Sequence, residues 1–338
     1  LEKEFHFMHA TRSTLSLTIL AAILSACTSA PVDQEPKETQ TNVAPSESSA
    51  DPVATKGLGV AQSKSAEGSG KKSKENRKPA HHRWAMYRWA RTTSPATLPI
   101  ANCLTTREWT GHFKKATKDW NTPRNFGADF MPLPNRAIRC RVKQECVEMP
   151  GTTTVCNGEY GENGWLGMAT ISVDGDFITQ GLSQMNDTYF KTARYNNPNE
   201  KRHVMCHEVA HTFGLGHQSE DGSSQNSCMD YFPNIDENAD STLSTRPSFH
   251  DFEELSEIYA ETESFTTLSS PTRKKSKLAK ASRDPKTWGK LKSQSSDGRG
   301  SVYEKRNSDG TKLLTHVYWT KEVADQCSNC DHRDHSHE

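Results

Sequence analysis

The sequence predicts an α+β fold, helices combined with β strands. Three observations carry that expectation. Trp109, Phe113, Ala116 and Trp120 recur at helical spacing and form one apolar stripe. Gly164 to Val173 and Phe177 to Leu182 are β-prone runs flanking the turn signal Asp174-Gly175. Asn197-Pro198 marks the start of a second helix that continues to about Phe213.

Composition limits how much of the chain folds. Of 338 residues, 33% are hydrophobic, and the mean hydropathy is −0.83. The polar excess lies in tails and linkers, leaving a middle region long enough for one core. Formal net charge is zero, so nothing points to nucleic acid as a partner. The Lys/Arg runs sit in low-complexity stretches and read as solvated linkers.

At the start, Arg12 precedes the apolar run Leu15 to Leu24, which is too short to span a bilayer and fits a signal-peptide core. It ends in Leu24-Ser25-Ala26-Cys27, similar to a bacterial lipobox. That resemblance implies a leader over 1–27, a lipid on Cys27 and attachment to a bacterial membrane outside the cytoplasm. An ordinary secretory signal cleaved nearby is the alternative. Residues 28–80 are rich in Ser, Lys, Glu, Gln, Pro and Ala and read as a disordered tether without cysteine. Export places the chain in an oxidising compartment. Setting Cys27 aside, Cys103, Cys140, Cys146, Cys156, Cys206, Cys228, Cys327 and Cys330 make an even number suited to disulfides.

The folded region is expected over 84–262. A first strand is placed within Trp84 to Ile100, the striped helix follows, and Met131 to Val142 reads as a further strand despite two prolines. Cys146 to Cys156 is turn-rich. Asp174, Asp176 and Asp187 read as turn and surface carboxylates, since their spacing matches no calcium loop. Ser248 with Asp251 resembles a capping box, opening a last helix whose buried face is Phe252, Leu255, Ile258 and Tyr259. Residues 263–283 form a polar linker. A small β appendage over 284–320 follows, marked by Asn307-Ser308-Asp309-Gly310 between strand-like runs. Residues 321–338 hold a CxxC and three histidines and read as a disordered tail, with weak binding of a soft metal as the alternative.

The chemistry concentrates in His207-Glu208-Val209-Ala210-His211-Thr212-Phe213-Gly214-Leu215-Gly216-His217, an HExxHxxGxxH sequence. Chance supplies that pattern in about one chain in ten thousand of this length, so it is read as signal. On a helix, His207 and His211 project from one face and can bind one zinc ion. Gly214 can end the helix in a left-handed turn and bring His217 round as a third ligand. Glu208 points to a different azimuth, free to act as general base and acid. His203 lies on the ligand side, but catalytic zinc needs an open position, which argues against a fourth histidine.

This motif, with Ser227-Cys228-Met229-Asp230-Tyr231 downstream, resembles the metzincin zinc peptidases. The likeness extends more loosely to secreted metzincin-like proteins and spans roughly 84–262. It implies a zincin domain with a twisted mixed sheet, an active-site helix, a Met-turn and a C-terminal helix. His207, His211 and His217 become the ligands of one catalytic Zn2+, and Met229 a hydrophobic floor beneath them. Tyr231 becomes an oxyanion stabiliser, or else a packed aromatic. If the Met-turn packs under the helix, Cys206 and Cys228 lie close, as a disulfide or as two buried thiols. The resemblance also makes Trp165 to Val173 the edge strand that receives extended substrate, the alternative being an interior strand. The expected function is a monomeric, lipid-anchored zinc endopeptidase acting on a peptide or protein substrate. The competing expectations are a catalytically silent surface protein that binds a partner and a lipoprotein that sequesters metal through its tail.

Overall fold

The computed structural model describes residues 82–123, 131–140, 146–268 and 283–334. All fall within one compact unit, Lys72–Glu338. The expected leader, Cys27, the whole tether and residues 269–282 of the linker lie outside the described residues. Among the described residues, no helix is long and apolar enough to cross a membrane.

The fold is α+β, with nine strands in one mixed sheet among the described residues. In chain order the strands are β1 (Arg88–Trp89), β2 (Leu98–Asn102), β3 (Asn135–Arg139), β4 (Thr153–Gly158), β5 (Trp165–Asp174), β6 (Phe177–Asn186), β7 (Lys290–Gln294), β8 (Gly300–Arg306) and β9 (Lys312–Trp319). The helices are α1 (Arg107–Trp120), α2 (Asp187–Phe190), α3 (Pro198–His211), α4 (Phe249–Ile258) and α5 (Lys321–Gln326). The sheet runs β3-β2-β4-β6-β5-β9-β8-β7, and β1 also pairs with β6. Pairing is parallel from β3 to β6 and antiparallel from β6 to β7.

Local chemistry explains most elements. Thr106 caps α1 by accepting from Trp109 N–H, and the predicted stripe of Trp109, Phe113, Ala116 and Trp120 is buried. Asn197 caps α3 with Pro198 at its first position. At α4 the Asp251 carboxylate accepts from Ser248 N–H at 2.6 Å. Asp187 accepts from Trp109 Nε1 at 2.5 Å, which gives this carboxylate a structural partner.

Other expectations need correction. The segment Trp84 to Ile100 yields two short strands, because the turn around Ser94-Pro95 separates β1 from β2. Pro132 and Pro134 delay β3 to Asn135. Within the stretch read as turns, Thr153 to Cys156 begins β4, where β-branched residues suit a buried strand.

The largest correction concerns the C-terminal third. The β hairpin does not stand apart as an appendage, since β9 pairs along β5 from Trp165–Trp319 to Val173–Lys312. β5 is therefore an interior strand, buried from Trp165 to Val173, and not an open edge. The expected disordered tail starts with α5, capped by Thr320, and His332 beyond it is buried against Trp319. Apolar residues explain both results. Leu314, Tyr318 and Val302 join the main core, while Val317, Trp319 and Val323 pack with Trp165, Met168, Trp288 and Tyr303 on the other face.

Candidate metal centre

α3 carries His203, His207 and His211 at four-residue spacing, aligned on one face. His203 is occupied elsewhere: Nδ1 meets Asn234 Oδ1 at 3.1 Å and Nε2 meets the Asp230 carbonyl at 3.0 Å. His207 and His211 each turn only Nδ1 toward a backbone acceptor. These are the Cys228 carbonyl at 2.7 Å and the Leu215 carbonyl at 2.8 Å. Beyond α3, Gly214 adopts φ +96°, which few side chains tolerate, and turns the chain back. His217 then arrives with Nε2 3.1 Å from His211 Nε2 and Nδ1 3.2 Å from Glu220 Oε1. Trp84 stacks on His211 with ring centroids 4.6 Å apart.

These contacts fix the tautomers. A neutral imidazole whose Nδ1–H donates to a carbonyl or carboxylate keeps its lone pair on Nε2. Burial pushes His207 and His211 well below the ordinary imidazole range and His217 down to about 4, so all three are neutral at pH 7. His207 Nε2 is buried with no hydrogen-bond partner. A buried lone pair without a donor, beside two others facing each other, is unfavourable unless a cation sits among them. Ligand nitrogens of His207, His211, His217 and a fourth histidine, His316, all lie within 4.8 Å of one another, so the cluster can hold a metal ion.

His316 was not anticipated. It lies on β9 opposite Ala169 of β5. Its Nδ1 meets Glu208 Oε2 at 3.0 Å and its Nε2 meets Tyr231 Oη at 2.9 Å. Burial lowers it to about 3. The sequence held one faint signal, a lone histidine inside the apolar run Leu313 to Trp319. Nothing local tied that run to residues a hundred positions earlier.

Glu208 projects from α3 toward β5 and is fully buried. Burial drives its carboxyl well above the usual range, and Oε1 has no partner. Gly167 permits this approach, since a Cβ there would lie 2.9 Å from Oε1 and 2.6 Å from Val204 Cγ1. Tyr231 Oη sits 2.8 Å from His217 Nε2, against β8 at Gly300, where any Cβ would overlap the phenol. Burial raises the Tyr231 hydroxyl well above its usual range.

The turn between His217 and Tyr231 is held from several sides. Asp230 accepts from Gln225 N–H at 2.7 Å, Phe232 N–H at 3.0 Å and Ser244 Oγ at 2.8 Å. Ser227 Oγ donates to Asp251 at 2.7 Å. Gln218 N–H donates to the Met229 carbonyl at 2.7 Å, and Met229 is fully buried in the main core. Cys206 and Cys228 are disulfide-bonded, with Cα atoms 5.9 Å apart, joining this turn to α3. Further disulfides link Cys103 to Cys140 and Cys146 to Cys156. Cys327 and Cys330 are free thiols.

The centre is closed in this conformation. His207, Glu208, His211, Tyr231 and His316 have no exposed surface. No family model matches the chain, and no curated protein matches it.

Proposed function

We propose that the chain is a zinc-dependent endopeptidase of metzincin type. The observation that carries this reading is the convergence of the His207, His211 and His217 lone pairs beside a separate carboxylate, Glu208. The donor set fits zinc, because neutral imidazoles on a tetrahedral centre are characteristic of it. The unpartnered His207 Nε2 is a buried atom that such a cation would satisfy. His207, His211 and His217 would hold the ion, which when bound polarises a carbonyl and acidifies water.

The chain's own groups supply the remaining work. Glu208 takes a proton from the attacking water at one carboxylate oxygen and returns it to the leaving amine. The Tyr231 hydroxyl donates toward the oxygen that gains negative charge. Met229 and the Cys206–Cys228 bridge keep the turn seated beneath α3. Substrate is an extended peptide, and the chain works outside the cytoplasm on a lipid carried by Cys27.

A second reading follows from His316. Four histidines complete a tetrahedral set, and closed sets are typical of structural zinc. On that reading the protein is catalytically silent. The discriminating test is cleavage of an unfolded protein by zinc-loaded full-length chain, before and after the hairpin is loosened. Glu208→Gln is expected to keep one zinc and abolish all cleavage. Zinc binding with no cleavage by any form would favour the silent reading.

A further inference from the structure

We propose that the β8–β9 hairpin is a built-in inhibitor that occupies the peptide-binding edge of β5 and puts His316 in the fourth metal position. The proposal rests on the peptidase reading above. An extended peptide binds a sheet by adding a strand to a free edge. On one side β5 is filled by β6, and on the other by β9. The strand adjoining the metal centre is thus already paired, antiparallel, with a segment of the same chain.

A single side chain of that segment engages both the base and the metal position. His316 contributes a nitrogen to the metal cluster. Its Nδ1 meets Glu208 at 3.0 Å, holding the carboxylate that must accept a proton from water. Its Nε2, 2.9 Å from Tyr231 Oη, is the nitrogen left to take the metal position. One residue of the strand that fills the substrate edge thus holds the base through Nδ1 and takes the fourth metal position through Nε2.

The hairpin is fastened outside the centre as well. Arg299 meets Glu200 of α3 at 3.0 Å in a buried ion pair and lies over the Tyr318 ring. Tyr195 Oη donates to Glu322 at 2.6 Å. These contacts make the blocked state stable, while His207 and His211 are oriented by the Cys228 and Leu215 carbonyls. Peptide access requires β9 to leave β5 and His316 to give its position to water.

The test uses the full chain loaded with cobalt(II), whose visible absorption reports its ligands, titrated with acetohydroxamate as a small bidentate probe. The wild type should bind it at least about tenfold more weakly than His316→Ala, at unchanged metal stoichiometry. Cleavage of unfolded casein is measured beside it with zinc. His316→Ala combined with Thr315→Pro, which removes a β9 backbone donor, should cleave at least about tenfold faster than wild type. If wild type binds acetohydroxamate as tightly as His316→Ala, or cleaves casein as fast as the double variant, the inhibitor is disproved and the peptidase reading survives. If acetohydroxamate enters only after His316→Ala, yet the folded double variant cleaves nothing, both readings fail. The centre is then a closed four-histidine site.

Discussion

The stretch from α3 to Tyr231 and the β8–β9 hairpin meet at one buried cluster but reach it by opposite routes. The first is local. His207, His211 and His217 lie within eleven residues, with a helix and one glycine turn setting their directions. A disulfide then ties them to the turn holding Met229 and Tyr231. The hairpin is remote. His316 comes from about a hundred positions away and is placed by sheet register, the Arg299–Glu200 ion pair and apolar burial. A cluster built locally keeps its ligands when a distant strand moves. A ligand delivered by a strand is removable, which is what the proposed inhibition requires.

The sharpest way to break this comparison is to remove ligands one at a time. His207→Ala takes a ligand from the preorganised helix pair and is expected to weaken zinc binding by more than the about 10–100-fold that losing an outer-shell partner costs. His316→Ala should cost about tenfold or less, because water can take its place. Competition against a chelator of known affinity measures both, and equal losses would erase the distinction between the two routes.

The disulfide gives the next largest effect. Replacing Cys206 and Cys228 together by Ser opens a loop with a sequence separation of 22. It should cost about 2–4 kcal/mol in denaturant unfolding. The hairpin has no covalent tie to the rest of the domain among the described residues, so reducing conditions should loosen the first region selectively. Hydrogen exchange that rose first in β9 under those conditions would contradict the assignment of rigidity.

A smaller effect tests how closely the regions fit. Gly300→Ala pushes a methyl group into the Tyr231 phenol and should cost about 1–3 kcal/mol through overpacking. Gly111→Ala in α1 meets nothing within 4 Å and should stabilise by up to about 1 kcal/mol. Thermal unfolding of the pair separates contact from propensity. If Gly300→Ala proves neutral, Tyr231 is not wedged against the hairpin in solution.

A further effect, read against pH, concerns a histidine away from both regions. His112 on α1 is held down to about 4, mainly by burial and then by Lys115. The unfolded chain binds a proton near pH 6.5, so this contribution is complete above that pH. It is lost progressively as pH falls toward about 4. His112→Gln should flatten stability against pH over that window, as read by urea midpoints. An unchanged acid limb would mean that His112 is more solvated than its burial implies.

Much of the site was legible because short-range geometry fixes it. Helical period put His207 and His211 on one face, and only a residue tolerant of positive φ suits the turn at Gly214. The capping signals at Asn197 and Ser248 also act within a few residues. What escaped was non-local. Thr153 to Cys156 looked like part of a turn-rich loop until β2 and β6 flanked it. The resemblance made β5 a free edge, with an interior strand as the alternative, and no local pattern reveals which strand lies beside it. The C-terminal stretch looked peripheral because a hairpin turn states its own pairing and nothing about its neighbours.

The sequence by itself determined three imidazoles and a carboxylate at metal-binding spacing, the two long helices that carry the core stripe and the motif, and the cysteines available for pairing. These follow from bond geometry and from side-chain period along a single segment. Tertiary structure alone decided that β9 fills the edge of β5, and that His316 therefore joins the cluster and touches both Glu208 and Tyr231. Strand pairing between remote segments is chosen by the burial of whole apolar faces, a property of the folded sheet and not of any window of residues.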